Sequence, residues 1–397
     1  MEARVFGHHD PSFQRVAAVL QAHLSSGRDM GAGVCVYHKG RCVVDIWGGQ
    51  ARSGKAWHRE TIVPLTSLTK PLLAFAVVRL AEQGVIDLEA PVATYWPKFA
   101  AAGKSDVLVS HILSHSAGLP VFDYPVTLAD QIERKALADR LAGMTPLWRP
   151  GALHGYHAIT FGFLVGEILE RVTGSDLVKA FRMLLSQPSQ AKVSIAVECD
   201  ETETVAQTYT QMSSALPIGD VPPHLREYVE GMTNEGSLLY RATFGSTSMT
   251  FEDMNDPRYL IAPRPAAYGT ATGVAKIWSA VIGHGPQPSL ISEPWLQKIR
   301  KERIDGIDQV FRVRSRWGLG VMLRGGPLIP TLPKGAFGHL GSTGALSFGD
   351  PENGLAFAYL PNLMKSVYEL PDRRAAELTN AVYSCLETGG DQVDHKP

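Results

Sequence analysis

The chain has 397 residues, 45% hydrophobic and 19% charged, which suits a large buried core and excludes a disordered or low-complexity protein. With 38 Lys plus Arg against 39 Asp plus Glu, the net charge of -1 excludes a global attraction for nucleic acid or anionic membranes, and no local basic patch substitutes for it. Cys35, Cys42, Cys199 and Cys385 match no zinc or redox spacing and are too few for a disulfide scaffold, so they are expected as reduced thiols in a cytoplasmic protein.

Met1 to Ser26 holds no uninterrupted apolar run like a signal segment, and no stretch has the length of a membrane span. Phe13, Val16, Val19, Leu20 and His23 recur at helical spacing, and Gly33 to Trp47 alternates about Lys39-Gly40, which predicts a helix followed by a β-hairpin. From Leu72 to Ala81 nearly every position is apolar, so a helix surrounded by protein is expected there, ending at Gln83-Gly84. Between about residues 85 and 265 the patterns are helical, with Pro-rich corners and a polar stretch from Ser186 to Thr210. Strand patterns return over Arg316 to Leu323, Gly335 to Phe348 and Leu355 to Leu360; an amphipathic helix over about Asp372 to Leu386 and a loose tail at 389–397 follow. This order predicts an α+β protein. Its two ends, about 1–65 and 265–388, share one sheet, and a mainly helical lobe of about 66–264 is inserted between them.

Several catalytic signatures are missing: the Gly-x-Ser-x-Gly elbow, the Walker loop, the Gly-x-Gly-x-x-Gly turn and His-Glu-x-x-His. What stands out is Ser67-Leu68-Thr69-Lys70, placed where a loop turns into the apolar helix. Residues three apart share a helix face, so Lys70 can reach the Ser67 hydroxyl, and the free N–H groups of the first turn favour a developing oxyanion. Pro71 in that turn costs little and supports a helix start near Ser67. A second Ser-x-x-Lys, Ser189 to Lys192, lies in a polar segment with no apolar helix behind it and gains none of these features.

The ordered landmarks resemble the serine β-lactamase and penicillin-binding-protein superfamily, and within it the class C β-lactamases and family VIII carboxylesterases. After Ser67-Leu68-Thr69-Lys70 come Gly84 to Val92, His111-Ile112-Leu113-Ser114-His115-Ser116-Ala117-Gly118-Leu119-Pro120, Pro150-Gly151 with Gly155-Tyr156-His157-Ala158, and Phe337-Gly338-His339-Leu340-Gly341-Ser342-Thr343-Gly344. The resemblance implies a β-lactamase-like fold, an antiparallel sheet flanked by helices plus an all-helical lobe, with the active site between them. It implies Ser67 as nucleophile, Lys70 and Tyr156 as proton carriers, and the backbone N–H groups of Ser67 and Ser342 as oxyanion hole.

Lys70 can accept the serine proton only if burial or cationic neighbours depress its pKa from ~10.4. Moving a phenol from ~10 toward ~7 takes about 4 kcal/mol, roughly what one cation at ~4 Å supplies at an effective dielectric of ~20, so Lys70 is expected to acidify Tyr156. His339 replaces the family's lysine and Ala158 its asparagine; both departures point from β-lactams or peptides toward simple esters. An imidazolium at His339 would further acidify Tyr156.

His111 and His115 lack a third metal ligand nearby and are expected to be structural. His157 either lines the pocket or fills the helix start. Gly341 permits close approach of backbone to substrate, and Trp148, Trp317 and Tyr268 are candidates for an apolar acyl pocket or for core packing. The expected protein is thus a serine carboxylesterase of small or short-chain esters, without metal or cofactor; the alternatives are a class C-like β-lactamase, D-amino-acid peptidase or acyltransferase with the same machinery, and a catalytically silent scaffold or binding protein that keeps the fold. Its expected partner is a small-molecule ester rather than nucleic acid or membrane, with the oligomeric state left open.

Overall fold

The computed structural model describes residues 4–211, 221–285, 288–365 and 372–390. It opens on β1 (Val5–His9), an edge strand that sequence pattern did not announce because Gly7, His8 and His9 dilute its alternation. Helix α1 (Gln14–Ser25) follows, burying Val16, Leu20, His23 and Leu24. Then comes the expected hairpin of β2 (Gly31–His38) and β3 (Arg41–Arg52). Lys39 and Gly40 both take positive φ, 48° and 81°, the left-handed pair that a two-residue hairpin turn requires.

The last part of the chain supplies β4 (Ile304–Ile307), β5 (Arg314–Trp317), β6 (Met322–Leu323), β7 (Phe337–Leu340), β8 (Leu346–Asp350) and β9 (Leu355–Pro361). All join one antiparallel sheet in the order β1-β3-β2-β9-β8-β7-β6-β5-β4, with Lys55–Ala56 added beside β3. The seam is the β2–β9 ladder, where Gly33 faces Leu360 and His38 faces Leu355.

Two strand patterns divide. Arg316 to Leu323 becomes β5 and β6, because Gly320 turns at φ 73° hard against helix α2 (Thr69–Glu82), where a Cβ would stand 2.2 Å from that of Ala74. Gly335 to Phe348 becomes β7 and β8, folded back at Gly341–Ala345. Asp305 and Gly306 interrupt β4, which the apolar pattern therefore missed.

Residues Leu68 to Val78 are all buried, as expected of an apolar run with protein on every side. Against α2 packs α3 (Thr160–Thr173), which ends on Gly174 at φ 64°, a left-handed cap. Shorter helices follow, among them α4 (Arg226–Thr233) and α5 (Leu238–Thr243). Helix α6 (Ala271–Val281) covers β2, β8 and β9, while α1 and α7 (Arg373–Gly390) pack together.

Within the polar stretch, Ser189 is buried with its hydroxyl turned onto the Leu185 carbonyl at 2.6 Å, and Lys192 faces Glu201 at 3.2 Å. The second Ser-x-x-Lys is thereby occupied by local bonds. No disulfide forms among the described cysteines, and the Cys35 and Cys42 sulfurs stand 3.8 Å apart. No described helix is long and apolar enough to cross a membrane. Positions 391–397 of the expected tail lie outside the described residues; 389–390 belong to α7.

Candidate active site

Ser67 occupies a single 3-10 turn, Thr66–Leu68, that runs directly into α2. The turn is reached through Thr66 at φ 47°, a left-handed conformation that a β-branched residue holds only when its surroundings enforce it. One turn onward, Lys70 is 6% exposed, and its Nζ donates to Ser67 Oγ at 3.1 Å and to the Ala158 carbonyl at 2.7 Å. Among the described residues no carboxylate lies within ion-pair distance of this amine. Burial alone pushes its pKa down to about 7, so at neutral pH a large fraction of Lys70 carries a free lone pair.

Tyr156 arrives from the loop before α3 and lines the same cavity as Ser67. Lys70 Nζ stands 4.8 Å from the centre of its ring. What fixes this loop comes from the far end of the chain: Asp308 accepts the Tyr156 backbone N–H at 3.1 Å, those of Val310 and Phe311 at 2.8 and 2.9 Å, and the Ser315 hydroxyl at 3.2 Å. The ring stacks on Phe311, with centroids 4.6 Å apart, and on Trp317 at 5.7 Å.

Burial raises the Tyr156 pKa above its ordinary value; the bond with Ser67 opposes this and the Asp308 carboxylate adds to it. Sequence reasoning expected the opposite direction. It credited Lys70 with a fixed charge, but a buried amine that itself sheds its proton near pH 7 cannot hold a phenolate.

His339 closes the site on β7. It is 1% exposed, its Nδ1 pairs with the Leu340 carbonyl at 2.7 Å, and its Nε2 has no hydrogen-bond partner among the described residues. Burial, with Lys70 adding to it, pushes its pKa down to about 3. The expected imidazolium is therefore corrected to a neutral ring. At Gly341 a Cβ would stand 2.7 Å from Thr66 Oγ1, which is why glycine is required there. The Ser342 N–H donates to that same Thr66 hydroxyl at 3.2 Å.

These groups open on one cavity of about 780 Å³, lined by Ser67, Lys70, Tyr156, His339, Gly341, Ser342 and Tyr268 among others. Three residues expected near substrate do not line it. His157 is fully buried, accepting from Leu119 N at Nε2 and meeting the Gly155 carbonyl at Nδ1, so it fixes the loop after His115. Trp317 lies behind Tyr156 with Nε1 on Ser315 Oγ at 2.9 Å. Trp148 donates to the Ser116 carbonyl and packs edge-on to His157. Tyr268 lines the cavity, with its hydroxyl held by Arg264 and by the Tyr259 carbonyl.

His111 accepts the Leu108 N–H and His115 the His157 N–H. Among the described residues no group of three or more metal-ligating side chains assembles. Sequence reasoning missed Thr66, Asp308 and Phe311. Thr66 adjoins the motif and its position was a usable signal; Asp308 lies 152 positions from the residue it pins and carried none.

A family model described as Beta-lactamase matches residues 16–381. The curated Esterase/beta-lactamase LipL of Mycobacterium tuberculosis is 30% identical over 393 residues, covering 93% of this chain and 85% of that protein. The crystal structure of a family VIII carboxylesterase superposes with a TM-score of 0.83 at 31% identity, covering 96% of this chain and 100% of that one. A penicillin-binding-protein homologue from Caulobacter crescentus gives 0.81 at 29% identity over 96% and 100%. The fold is accordingly β-lactamase-like, with a large antiparallel sheet and helices.

Proposed function

The chain belongs to the beta-lactamase family and is a serine hydrolase, and on that premise we propose that it is a carboxylesterase acting on small esters through an acyl-enzyme on Ser67. The observation that carries this reading is the Lys70 amine, buried, without a carboxylate partner among the described residues and 3.1 Å from the serine oxygen. Burial brings its pKa down to about 7, which keeps a neutral amine available as a general base at working pH.

Neutral Lys70 takes the Ser67 proton as Oγ bonds to the ester carbonyl carbon, and the carbonyl oxygen takes its negative charge opposite the N–H groups of Ser67 and Ser342. Collapse breaks the bond to the alcohol, whose oxygen takes a proton from Tyr156. The Lys70 ammonium then returns a proton to Tyr156, so the phenol stays neutral except in passing, in keeping with its raised pKa. Water attacks the acyl-enzyme, gives its proton to Lys70, and Ser67 leaves with that proton as the acid departs. Every proton has a carrier within the chain.

Two features support esters over β-lactams. Neutral His339 offers no cation to a lactam carboxylate, and position 158 offers Lys70 a backbone carbonyl with no amide side chain beside it. A fluorophosphonate should label the protein, and Ser67→Ala should abolish labelling. Initial rates on 4-nitrophenyl butyrate should exceed those on a chromogenic cephalosporin; the reverse order would overturn the ester assignment.

A further inference from the structure

The proton donor to the departing alcohol marks which wall of the cavity the alcohol faces. Tyr156 stacks on Phe311, their planes 19° apart, and Phe311 in turn meets the Tyr228 ring on α4 with centroids 6.1 Å apart. All three line the cavity. The wall continues through Met232 and Leu239 on α4 and α5 to Phe244. Between residues 228 and 254 the lining side chains are apolar or carry only a hydroxyl, apart from Glu252, which is exposed. A short aliphatic alcohol would leave the partly exposed rings of Phe311 and Phe244 uncovered inside a cavity of about 780 Å³, a size that takes drug-sized molecules.

Resting on the reading of Tyr156 as the group that protonates the leaving oxygen, we infer that among small esters the enzyme selects those of aromatic alcohols, with Phe311, backed by Tyr228, as the stacking platform for the alcohol's ring. Offset aromatic contacts add to simple area burial, and methionine beside them adapts to different ring shapes. Specificity therefore resides on the alcohol side, and the acyl group is the smaller part of the substrate.

The test uses two isomeric esters with the same ring on opposite sides of the carbonyl, 2-(2-naphthyl)ethyl butyrate and the butyl ester of the matching naphthyl-substituted acid. Neither alcohol is activated, so leaving-group acidity does not confound the comparison. Acid release by the full-length enzyme should give kcat/KM at least tenfold higher with the ring on the alcohol. Phe311→Leu should lower that ratio at least fivefold, mainly through KM, and Tyr228→Leu should lower it as well. Equal rates, or faster turnover with the ring on the acid, would overturn this inference and leave the esterase reading standing. Failure to hydrolyse either isomer or 4-nitrophenyl butyrate would instead overturn the esterase reading itself.

Discussion

Lys70 and Tyr156 share Ser67, yet their proton affinities move in opposite directions for one reason: each is buried without a compensating charge, so each keeps its neutral form. The pH dependence of ester hydrolysis follows. Below about pH 7 Lys70 is an ammonium and cannot receive the serine proton, so kcat/KM should fall about tenfold per pH unit there and level off above it. His339→Gln should leave that limb in place, because the imidazole it replaces is already neutral throughout the range. Thr66 is a further positioning residue. Its hydroxyl accepts the Ser342 N–H and so fixes the turn that carries it, a long bond that this N–H shares with the oxyanion as the charge forms; Thr66→Val frees the turn and should lower kcat by about 10-fold to 100-fold with little change in KM, and Thr66→Ser should recover most of it. A steady-state comparison of the three proteins checks this. The serine and lysine were legible because helical geometry fixes what lies three residues away. The direction of the tyrosine shift was not, since it depends on how deeply the phenol is buried and on a carboxylate brought in by tertiary structure.

At the scale of elements, the segment joining β4 to β5 acts as a clamp on the Tyr156 loop. Asp308 is fully buried and gathers three backbone N–H groups and a serine hydroxyl, with His154 Nε2 at 3.9 Å from the same carboxylate. Asp308→Ala leaves those donors unpaired, at about 1–3 kcal/mol each, and frees the loop. It should lower kcat by more than 100-fold, whereas Asp308→Asn, which keeps one acceptor oxygen, should recover part of the loss; Tm and kcat measured together separate loosening from unfolding. Turn chemistry made the β2–β3 hairpin readable, because Lys39-Gly40 sits between two alternating runs. The β5–β6 break was hidden, since Gly318 and Gly320 look like ordinary strand glycines until α2 is seen to press on one of them. The cavity wall over residues 228–254 was hidden too. Its apolar side chains are spread over helices of eight and six residues and the turns between, too short to display a period.

For the whole molecule, the landmarks implied the architecture because they name places on one sheet and one helix. What they did not imply is the charged network that ties α7 to the site. Arg374 is 2% exposed and bonds Asp29 Oδ1 at 2.8 Å, the Leu363 carbonyl at 2.9 Å and the Thr343 carbonyl at 3.0 Å, the last within the turn that carries Ser342. Asp29 also accepts from Tyr359 at 2.8 Å. Arg374→Met strands a buried carboxylate and should destabilise the fold by about 3–5 kcal/mol, read as a lower midpoint in urea. Leu378→Ala on the same helix, which removes only apolar contact, should cost a similar 2–5 kcal/mol but disturb kcat less.

The β2–β9 ladder has a consequence for biosynthesis. On the ribosome, α2 with its serine and lysine emerges early, but β2 must wait for β9, translated long after it, before its second edge is covered. Pairings so distant in sequence form slowly, and the hydrophobic hairpin stays open to chaperones meanwhile. A nascent chain stalled ahead of β7 should therefore carry the nucleophile yet remain inert toward a fluorophosphonate, so that cleavage chemistry begins only once β7 to β9 have emerged and paired.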